Sequence, residues 1–280
     1  MAVKSLQQSA ILCGSGRAHH FEGVMPLSVK SFTGGTAHYA TARGRYAVPE
    51  GSWLIINDQE LYAIDFDSPT PLRSTVVFFP RGWAEVVARV YREREVQLLD
   101  EPTLPGEPVE FLETVMPGET DVCPRLRALD TACRGKTVSR DWLEERLREL
   151  LAAMLLSQRD HRRRADRLPA ARAATRAELY RRVCRGRDFL GSRALSAPTL
   201  GVAAKAACLS PYHFQRSFKA AFGETPHEFT ISLRLAHAHR LLGTRGISAT
   251  EAAAVVGYES YSAFHDAYRR RYSASPGIRT

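Results

Sequence analysis

Aromatic residues recur at every fourth position in two segments near the C-terminus. Since residues i, i+4 and i+8 lie on one face of an α-helix, each segment predicts a helix with an aromatic inner stripe. The stripes are Phe214, Phe218 and Phe222 in the first copy and Phe264, Tyr268 and Tyr272 in the second. Residues 210–226 align without a gap on residues 260–276, and both segments begin with Ser and end with Pro. A repeat at a fixed offset indicates a duplicated unit, which could read two neighbouring places on one ligand, such as DNA.

Capping and turn residues predict further helices around the two copies. Ser210 is placed to cap the first repeat helix, and Thr225 with Glu228 forms a capping-box pattern at the start of a helix that ends at Gly243. That helix is apolar on two sides, so we expect it to lie between the copies and to fix their spacing. Shorter helices are predicted upstream of each copy, near Pro198 and over residues 250–256. Each copy therefore has the order helix, turn, helix.

The first 115 residues follow a different pattern, in which short β-type runs are separated by Gly and Pro. The runs 53–56 and 61–64 flank residues 57–60 and predict a hairpin, and residues 75–79 predict a strand that ends at Pro80. Other turns are predicted at Gly34-Gly35, Gly44, Pro49 to Gly51 and Pro69 to Pro71. Closely spaced strands predict a small barrel or jelly roll. A helix is predicted over residues 82–99.

Residues 121–160 carry a helical pattern with an apolar stripe, and Ser139 is placed to cap it. The stripe consists of Leu143, Leu147, Leu150, Leu151 and Met154. Such a stripe could pack against its own domain, or it could form the seam of a homodimer. Both alternatives are open at this point.

The charge of the chain is concentrated in its C-terminal region. The 280 residues are enough for two domains and carry a net charge of +9. Residues 170–280 hold 17 Lys and Arg against 7 Asp and Glu, whereas residues 1–169 hold 22 against 23. A basic region joined to a neutral one predicts a domain that binds a polyanion, with a second domain of another role. The Arg-rich segment 158–174 is interpreted as a linker.

Targeting signals and cysteine usage predict a cytoplasmic protein. Residues 1–20 have no long apolar core, and the longest apolar run, residues 150–156, is too short to span a bilayer. Five cysteines form no CxxC pair, and their odd number favours reduced thiols that act as small buried hydrophobes.

The polar face of the first repeat helix carries side chains suited to a major groove. Tyr212, Arg216 and Lys219 centre opposite the aromatic stripe, with His213 and Gln215 on the flanks. Arg can bind guanine through two acceptors, Gln can bind adenine, and an aromatic residue or Lys can contact sugar and phosphate. The alternative is an ordinary solvated face, which any amphipathic helix has.

At this point the sequence resembles the tandem helix-turn-helix domain of the AraC/XylS family of bacterial transcription regulators. The similar segments are 209–219, 222–226, 234–238 with 241–242, 256–258 and 264–276. The resemblance implies base-reading roles for Tyr212, Gln215 and Arg216. It also places Cys208 at a turn where the family usually has Gly, and Ser273 where the first copy has Gly223.

The layout of the remaining chain resembles the family's effector and dimerisation domain. The resemblance implies a cupin-like domain over residues 1–165, a linker over 166–177 and a DNA-binding domain over 178–280. The predicted fold class is therefore α+β with two domains. The implied partners are double-stranded DNA, a second copy of the chain, RNA polymerase and a small-molecule effector.

The second repeat helix departs from the first on its polar face. Ser262, His265 and Arg269 are candidate DNA contacts, but Asp266 stands where the first copy has Arg216. A carboxylate is repelled by phosphate and can only accept a hydrogen bond from a base. We therefore expect the second unit to contribute affinity and position more than base readout.

No catalytic motif is recognisable in the sequence. It contains no Gly-rich phosphate loop, no GxSxG and no HExxH. His19, His20 and His38 lie in the predicted barrel but form no H-x-H pair, so we expect no metal, no cofactor and no enzymatic activity. The alternative is a cupin-type metal enzyme or small-molecule binder with an appended DNA-binding domain.

Overall fold

The computed structural model describes residues 10–92, 108–118, 120–135, 139–243 and 247–277. It divides into two compact units, Met1–Arg163 and Arg164–Thr280. The first unit contains an antiparallel sheet with helices, and the described residues of the second form helices, so the α+β fold class is confirmed.

The described residues of the first unit contain a sheet of seven strands. They are β1 (Ala10–Val24), β2 (Ser28–Thr33), β3 (Thr36–Thr41), β4 (Gly44–Pro49), β5 (Ser52–Ile56), β6 (Leu61–Phe78) and β7 (Met116–Pro117). The strand order is β4-β3-β6-β2-β5-β7, and β1 pairs with β6. The sheet is a half-barrel of antiparallel strands, and the finer description as cupin-like stays a prediction.

Strand β6 joins the two halves of this sheet. Its first half pairs with β3, its second half pairs with β2, and β1 follows it along the opposite side. The prediction of a turn at Pro69 to Pro71 is wrong, because the strand continues through these residues. They lie where the register of β1 shifts between Gly16 and Ala18. A proline has no N–H to donate, and a bulge is a place in a sheet where that donor is not required.

The predicted hairpin of residues 53–56 with 61–64 is also wrong. Strand β5 pairs with β2 and β7, whereas residues 61–64 pair with β1. The connection is held by Asn57, whose side-chain amide donates to the Phe111 carbonyl at 2.9 Å and to Glu113 Oε1 at 3.0 Å. Asn57 thus ties this turn to a segment more than fifty residues later, which a local hairpin pattern does not show.

The inner face of the sheet is aromatic and contains a buried lysine. The rings are Phe32, Tyr39, Tyr46, Tyr62, Phe66 and Phe78. Lys30 is 1% exposed, donates from Nζ to Ser28 Oγ at 2.5 Å and lies 4.5 Å from the centroid of the Tyr62 ring. Burial lowers the pKa of Lys30 to about 7, although the Glu113 carboxylate acts in the opposite direction.

The other face of the sheet packs against three helices. They are α1 (Trp83–Arg92), α2 (Val122–Arg134) and α3 (Arg140–Asp166). The predicted helix over 82–99 is confirmed as far as Arg92, and residues 93–99 lie outside the described residues. The Ser139 cap is confirmed by a 3.3 Å hydrogen bond from the Trp142 amide to Ser139 Oγ. Among the helices that the structure describes, none has both the length and the apolar composition of a membrane span.

The apolar stripe of α3 belongs to the core of the first unit. Leu147, Leu150, Leu151 and Met154 are each 0% exposed within a single chain, in one cluster with residues of β2, β5 and β6. Leu143 is partly buried against the same cluster. The burial of these four side chains within one protomer favours the alternative in which the stripe packs against its own domain, and the dimer seam stays a prediction.

Helix α3 also changes the interpretation of the Arg-rich segment. The sequence pattern predicts a linker over residues 158–174, but α3 runs to Asp166 and the next helix starts at Ala173. Only residues 167–172 lie between the two helices.

The described residues of the second unit form six α-helices and one short 3₁₀ turn. They are α4 (Ala173–Ser192), a 3₁₀ turn (Ala194–Ser196), α5 (Leu200–Ala206), α6 (Pro211–Phe222), α7 (Pro226–Leu242), α8 (Ala249–Val255) and α9 (Tyr261–Tyr272). Helix α4 packs on α5, α6 and α7, and α7 also contacts α6, α8 and α9. The prediction that the helix starting at Pro226 lies between the two copies is confirmed.

Candidate nucleic-acid interface

The first helix-turn-helix consists of α5, the turn 207–209 and α6. Thr199 caps α5, accepting from the Val202 amide at 3.4 Å, so Pro198 precedes the helix instead of starting it. Ser210 caps α6 as predicted, accepting from the His213 amide at 3.3 Å. The turn places Cys208 at φ +53°, a left-handed conformation that costs a residue with a Cβ about 1–2 kcal/mol.

The inner face of α6 is fixed by ring packing. Phe214 and Phe218 are 0% exposed, and the Phe218 ring lies 4.8 Å from Phe222 and 5.6 Å from Phe229 of α7. Helix α4 approaches this stripe so closely that a Cβ at Gly186 would lie 2.3 Å from the Phe214 ring. The aromatic stripe therefore sets the rotation of α6 about its own axis, and with it the side chains that face outward.

The predicted reading residues of α6 share one exposed surface. This surface, called here the α6 face, consists of Tyr212, His213, Gln215, Arg216 and Lys219, all of which are exposed. Tyr212 is 75% exposed, which is unusual for a large ring with no partner to cover it. Among the described residues, Arg216 and Lys219 form no salt bridge, so both cations are available to a ligand.

The second helix-turn-helix repeats this plan with α8 and α9. Ser248 and Glu251 form a capping box at the start of α8, and Gly257 occupies the turn at φ +77°. Phe264 and Tyr268 are buried on the inner face of α9, as Phe214 and Phe218 are on the inner face of α6. The turn is one residue longer here. Ser260, the residue before α9, comes three positions after Gly257, whereas Ser210, the residue before α6, comes two positions after Cys208.

Helices α6 and α9 are nevertheless anchored differently. The Ser260 side chain makes no cap hydrogen bond, in contrast to Ser210. A histidine of α7 joins the inner stripe of α9, since His239 Nδ1 lies 2.6 Å from the Tyr268 hydroxyl and its ring stacks on Tyr272 at 4.6 Å. Ser273, the residue that follows α9, has a φ of +53°, whereas Gly223, which follows α6, has a φ of +82°.

The outward side of α9 has mixed charge. Ser262, Asp266 and Arg269 are exposed and His265 is half-buried. Asp266 carries a side chain that is 71% exposed and lies 3.6 Å from the His265 ring nitrogen Nδ1. The Asp266 carboxylate therefore projects from the position at which the first helix-turn-helix presents Arg216.

Helix α7 connects the two helix-turn-helix units through Arg234, which was not among the candidate residues named from the sequence. Arg234 Nε donates to the Ala194 carbonyl at 2.7 Å, in the turn before the first helix-turn-helix. Its guanidinium also lies beside Gly257, where an added Cβ would be 3.5 Å from Arg234 Nη2. Arg234 thus contacts both helix-turn-helix units. In the sequence, only its place in segment 234–238, which is similar to the AraC/XylS family, pointed to it.

A groove of about 350 Å³ lies beside the α6 face. It is lined by Gln215 together with Thr199, Thr225, His227 and residues of α4 and α7. Thr199 and His227 stand at the first turns of α5 and α7, positions where backbone N–H groups face outward and favour anions. The capping position of Thr199 is the signal that could have identified it from sequence.

The three candidate histidines named from the sequence, His19, His20 and His38, lie on strands β1 and β3. Strand pairing places His20 and His38 on either side of Asp65, and His19 opposite Phe66. All three histidines are exposed, and the described residues contain no group of three or more His, Cys, Asp or Glu side chains that could hold a metal ion.

Comparison with known proteins identifies the C-terminal segment. The family described as helix-turn-helix domain matches residues 203–278. The probable transcriptional regulator LumQ of Photobacterium leiognathi is 36% identical over 70 residues, which are 25% of this chain and 28% of LumQ. The transcriptional regulator MtrA of Neisseria gonorrhoeae is 38% identical over 72 residues, 26% of this chain and 24% of MtrA. The chain thus spans about a quarter of the length of these relatives.

One solved structure is also similar to part of this chain. It is a probable AraC family transcriptional regulator from Rhodopseudomonas palustris, 23% identical, with a TM-score of 0.33, and the match covers 34% of this chain and 91% of that one. The C-terminal segment of this chain, in which two helix-turn-helix units flank α7, is therefore similar to the helix-turn-helix domains of transcription regulators, in agreement with the resemblance to the AraC/XylS family that the sequence predicts.

Proposed function

We propose that this protein is a sequence-specific DNA-binding transcription regulator that acts in the bacterial cytoplasm. The observation that carries the proposal is the α6 face. It presents an arginine, a glutamine, a lysine, a histidine and a tyrosine together, outward from a helix whose rotation is fixed by buried rings. These side chains can bind base edges and phosphates. The excess of Lys and Arg in residues 170–280 supports the same role.

The roles within the α6 face are divided by position. We infer that Arg216, at the centre of the face, binds a base pair, with Gln215 and Tyr212 beside it. Lys219 lies one turn further along and contacts phosphate. On α9, Ser262, His265 and Arg269 contact DNA, and more of these contacts go to the DNA backbone than on α6. Asp266 weakens the attraction of the second helix-turn-helix for the phosphates.

Substitution of Arg216 tests this division. A preferred site is first selected from random DNA with the full chain. Arg216→Ala is expected to weaken binding to that site by about 1–3 kcal/mol and binding to random DNA much less, because base contacts are lost only on the preferred site. Lys219→Ala is the matched control, since it removes one cation from the same helix and is expected to weaken both affinities equally. Equal losses for Arg216→Ala on the two DNAs would show that Arg216 contacts only phosphate.

The role of the first unit rests on the resemblance to the family. We infer that residues 1–165 bind a small-molecule effector and form a homodimer, and that the regulator contacts RNA polymerase. Since four side chains of the α3 stripe are buried within one protomer, we place the dimer contact on another surface. Sedimentation of the full chain tests the dimer, and DNA affinity measured across a metabolite panel tests the effector. An affinity that stays constant across the panel would point to a constitutive DNA-binding protein whose sheet domain serves only assembly.

A further inference from the structure

Two cysteines that are 120 positions apart in sequence meet on the surface of the first unit. Cys13 lies on β1 and Cys133 in the last turn of α2, and both are exposed free thiols. The sequence predicts that each cysteine is a small buried hydrophobe with a reduced thiol. That prediction is wrong for these two, and also for Cys208, which is exposed.

Three neighbouring contacts bring the thiols together. Cys13 stands directly opposite Thr75 of β6, so their side chains share one face of the sheet. Thr75 Oγ1 donates to Asp130 Oδ1 of α2 at 3.1 Å. Cys133 follows Asp130 by three residues, which puts both on the same side of the helix. Cys13 and Cys133 are therefore neighbours at the place where β1 meets the last turn of α2.

We propose that Cys13 and Cys133 form a reversible redox site, which a peroxide oxidises to an intramolecular disulfide that ties β1 to α2. The site goes beyond the proposed DNA-binding role, since it lies wholly in the first unit and would function whatever that unit senses.

The chemistry divides the two thiols into an attacking and a resolving group. The Cys133 thiolate attacks one peroxide oxygen, the O–O bond breaks, and the products are a sulfenic acid at Cys133 and an alcohol or water. The Cys13 sulfur then attacks the sulfenic sulfur, loses its proton, and hydroxide leaves as water. In total two thiols lose two electrons and two protons, and the peroxide is reduced. A dithiol reductant restores both thiols.

The surroundings of the pair assign these roles. Although the Cys13 residue is exposed, partial burial of its thiol, together with the Cys133 and Asp130 side chains, raises the pKa of Cys13 to about 12, so Cys13 keeps its proton. The Asp130 carboxylate disfavours a thiolate, but Arg134 binds it at 2.7 Å and reduces this repulsion. We therefore expect slow oxidation that requires an excess of peroxide.

The experiment treats the reduced full chain with hydrogen peroxide under native conditions, blocks remaining thiols with an alkylating reagent, and maps peptides by mass spectrometry without reduction. The expected result is a peptide pair linked through Cys13 and Cys133 with the loss of two hydrogens. Alkylation of both residues should fall together, and the linked form should melt at a higher temperature than the reduced form, since the link closes a loop of about 120 residues.

Matched variants separate this site from unspecific oxidation. Cys13→Ser and Cys133→Ser should each abolish the linked peptide, and Cys133→Ser alone should also remove the first, sulfenic stage. Cys208→Ser, which changes an exposed cysteine of the other unit, should leave the linked peptide at its original yield. Linkage only between different chains, or independent oxidation of the two residues without a shared peptide, would overturn the proposal.

Discussion

Single side chains show how strongly the fold of the first unit alters ordinary chemistry. Lys30 sits among aromatic rings with a serine hydroxyl as its close polar contact, and Glu113 is the acidic group that acts on it. Burial disfavours the ammonium more than this carboxylate favours it, so the pKa falls from 10.5 to about 7. Near neutral pH the folded protein therefore holds a lysine that is substantially uncharged.

This shift predicts a pH dependence of stability. Between pH 7 and 10.5 the unfolded chain binds a proton at Lys30 that the folded chain does not, so the free energy of unfolding should rise with pH by up to about 1.4 kcal/mol per unit. The measurement is the difference in unfolding free energy between the wild type and Lys30→Met, followed from pH 7 to pH 9. The difference should move in favour of the wild type as pH rises.

The subtraction of the variant removes the contributions of other groups. Tyr39 and Tyr62 face Lys30, but burial raises both pKa values, that of Tyr62 to about 12, so both keep their protons over this range. Glu113 has a raised pKa and remains in both proteins. A difference that does not change between pH 7 and pH 9 would mean that Lys30 stays charged in the folded state.

Features that depend on neighbouring residues were predictable from sequence, and features that depend on distant ones were not. The caps at Ser139, Ser210 and Thr225 were correct because a cap is decided within four residues. The placement of Cys13 near Cys133 and the hydrogen bond from Asn57 to Phe111 join distant segments, and no local pattern predicts them. The α6 face was predictable because the aromatic stripe alone fixes which residues point outward.

At the scale of elements, the same pattern can serve two different contacts. The α3 stripe has the spacing of a helix seam, but such spacing looks alike whether the partner is a second protomer or the sheet of the same chain. In the structure that partner is the face of the sheet containing Val29, Trp53 and Val77. The paired strands likewise could not be chosen from turn residues alone, because β6 pairs with three strands that precede it in the chain.

The position of this stripe predicts the outcome of a charge substitution. Leu147→Glu combined with Leu151→Glu should unfold the first unit, because two carboxylates would enter a core in which both leucines are 0% exposed. Leu156→Glu is the control on the same helix, at a residue that is 44% exposed, and should leave the fold intact. Circular dichroism and thermal melting report the result. A folded monomeric double variant would support the dimer-seam alternative.

At the scale of the whole molecule, charge is divided between a nearly neutral N-terminal region and a basic C-terminal region. Within the basic region, the two similar helix-turn-helix units differ in sign at one position. Arg234 and the other contacts of α7 hold the two helix-turn-helix units at a fixed spacing. Binding of two successive DNA grooves requires such a fixed spacing. Arg216 and Asp266 give the outward faces of α6 and α9 opposite charges at one position, since the shared inner stripe places both residues on outward faces.

This difference in charge predicts an asymmetric binding site. Sites selected from random DNA with the full chain should show sharper base preference in the half-site of α6 than in that of α9. Asp266→Arg should strengthen binding to random DNA and steepen its salt dependence by about one phosphate contact, because it removes a repulsion and adds a cation. Asp266→Asn separates the two effects, since it removes only the repulsion and should give a smaller gain without the steeper slope. Equal base preference in both half-sites, or unchanged affinity of Asp266→Arg for random DNA, would show that α9 reads DNA as α6 does.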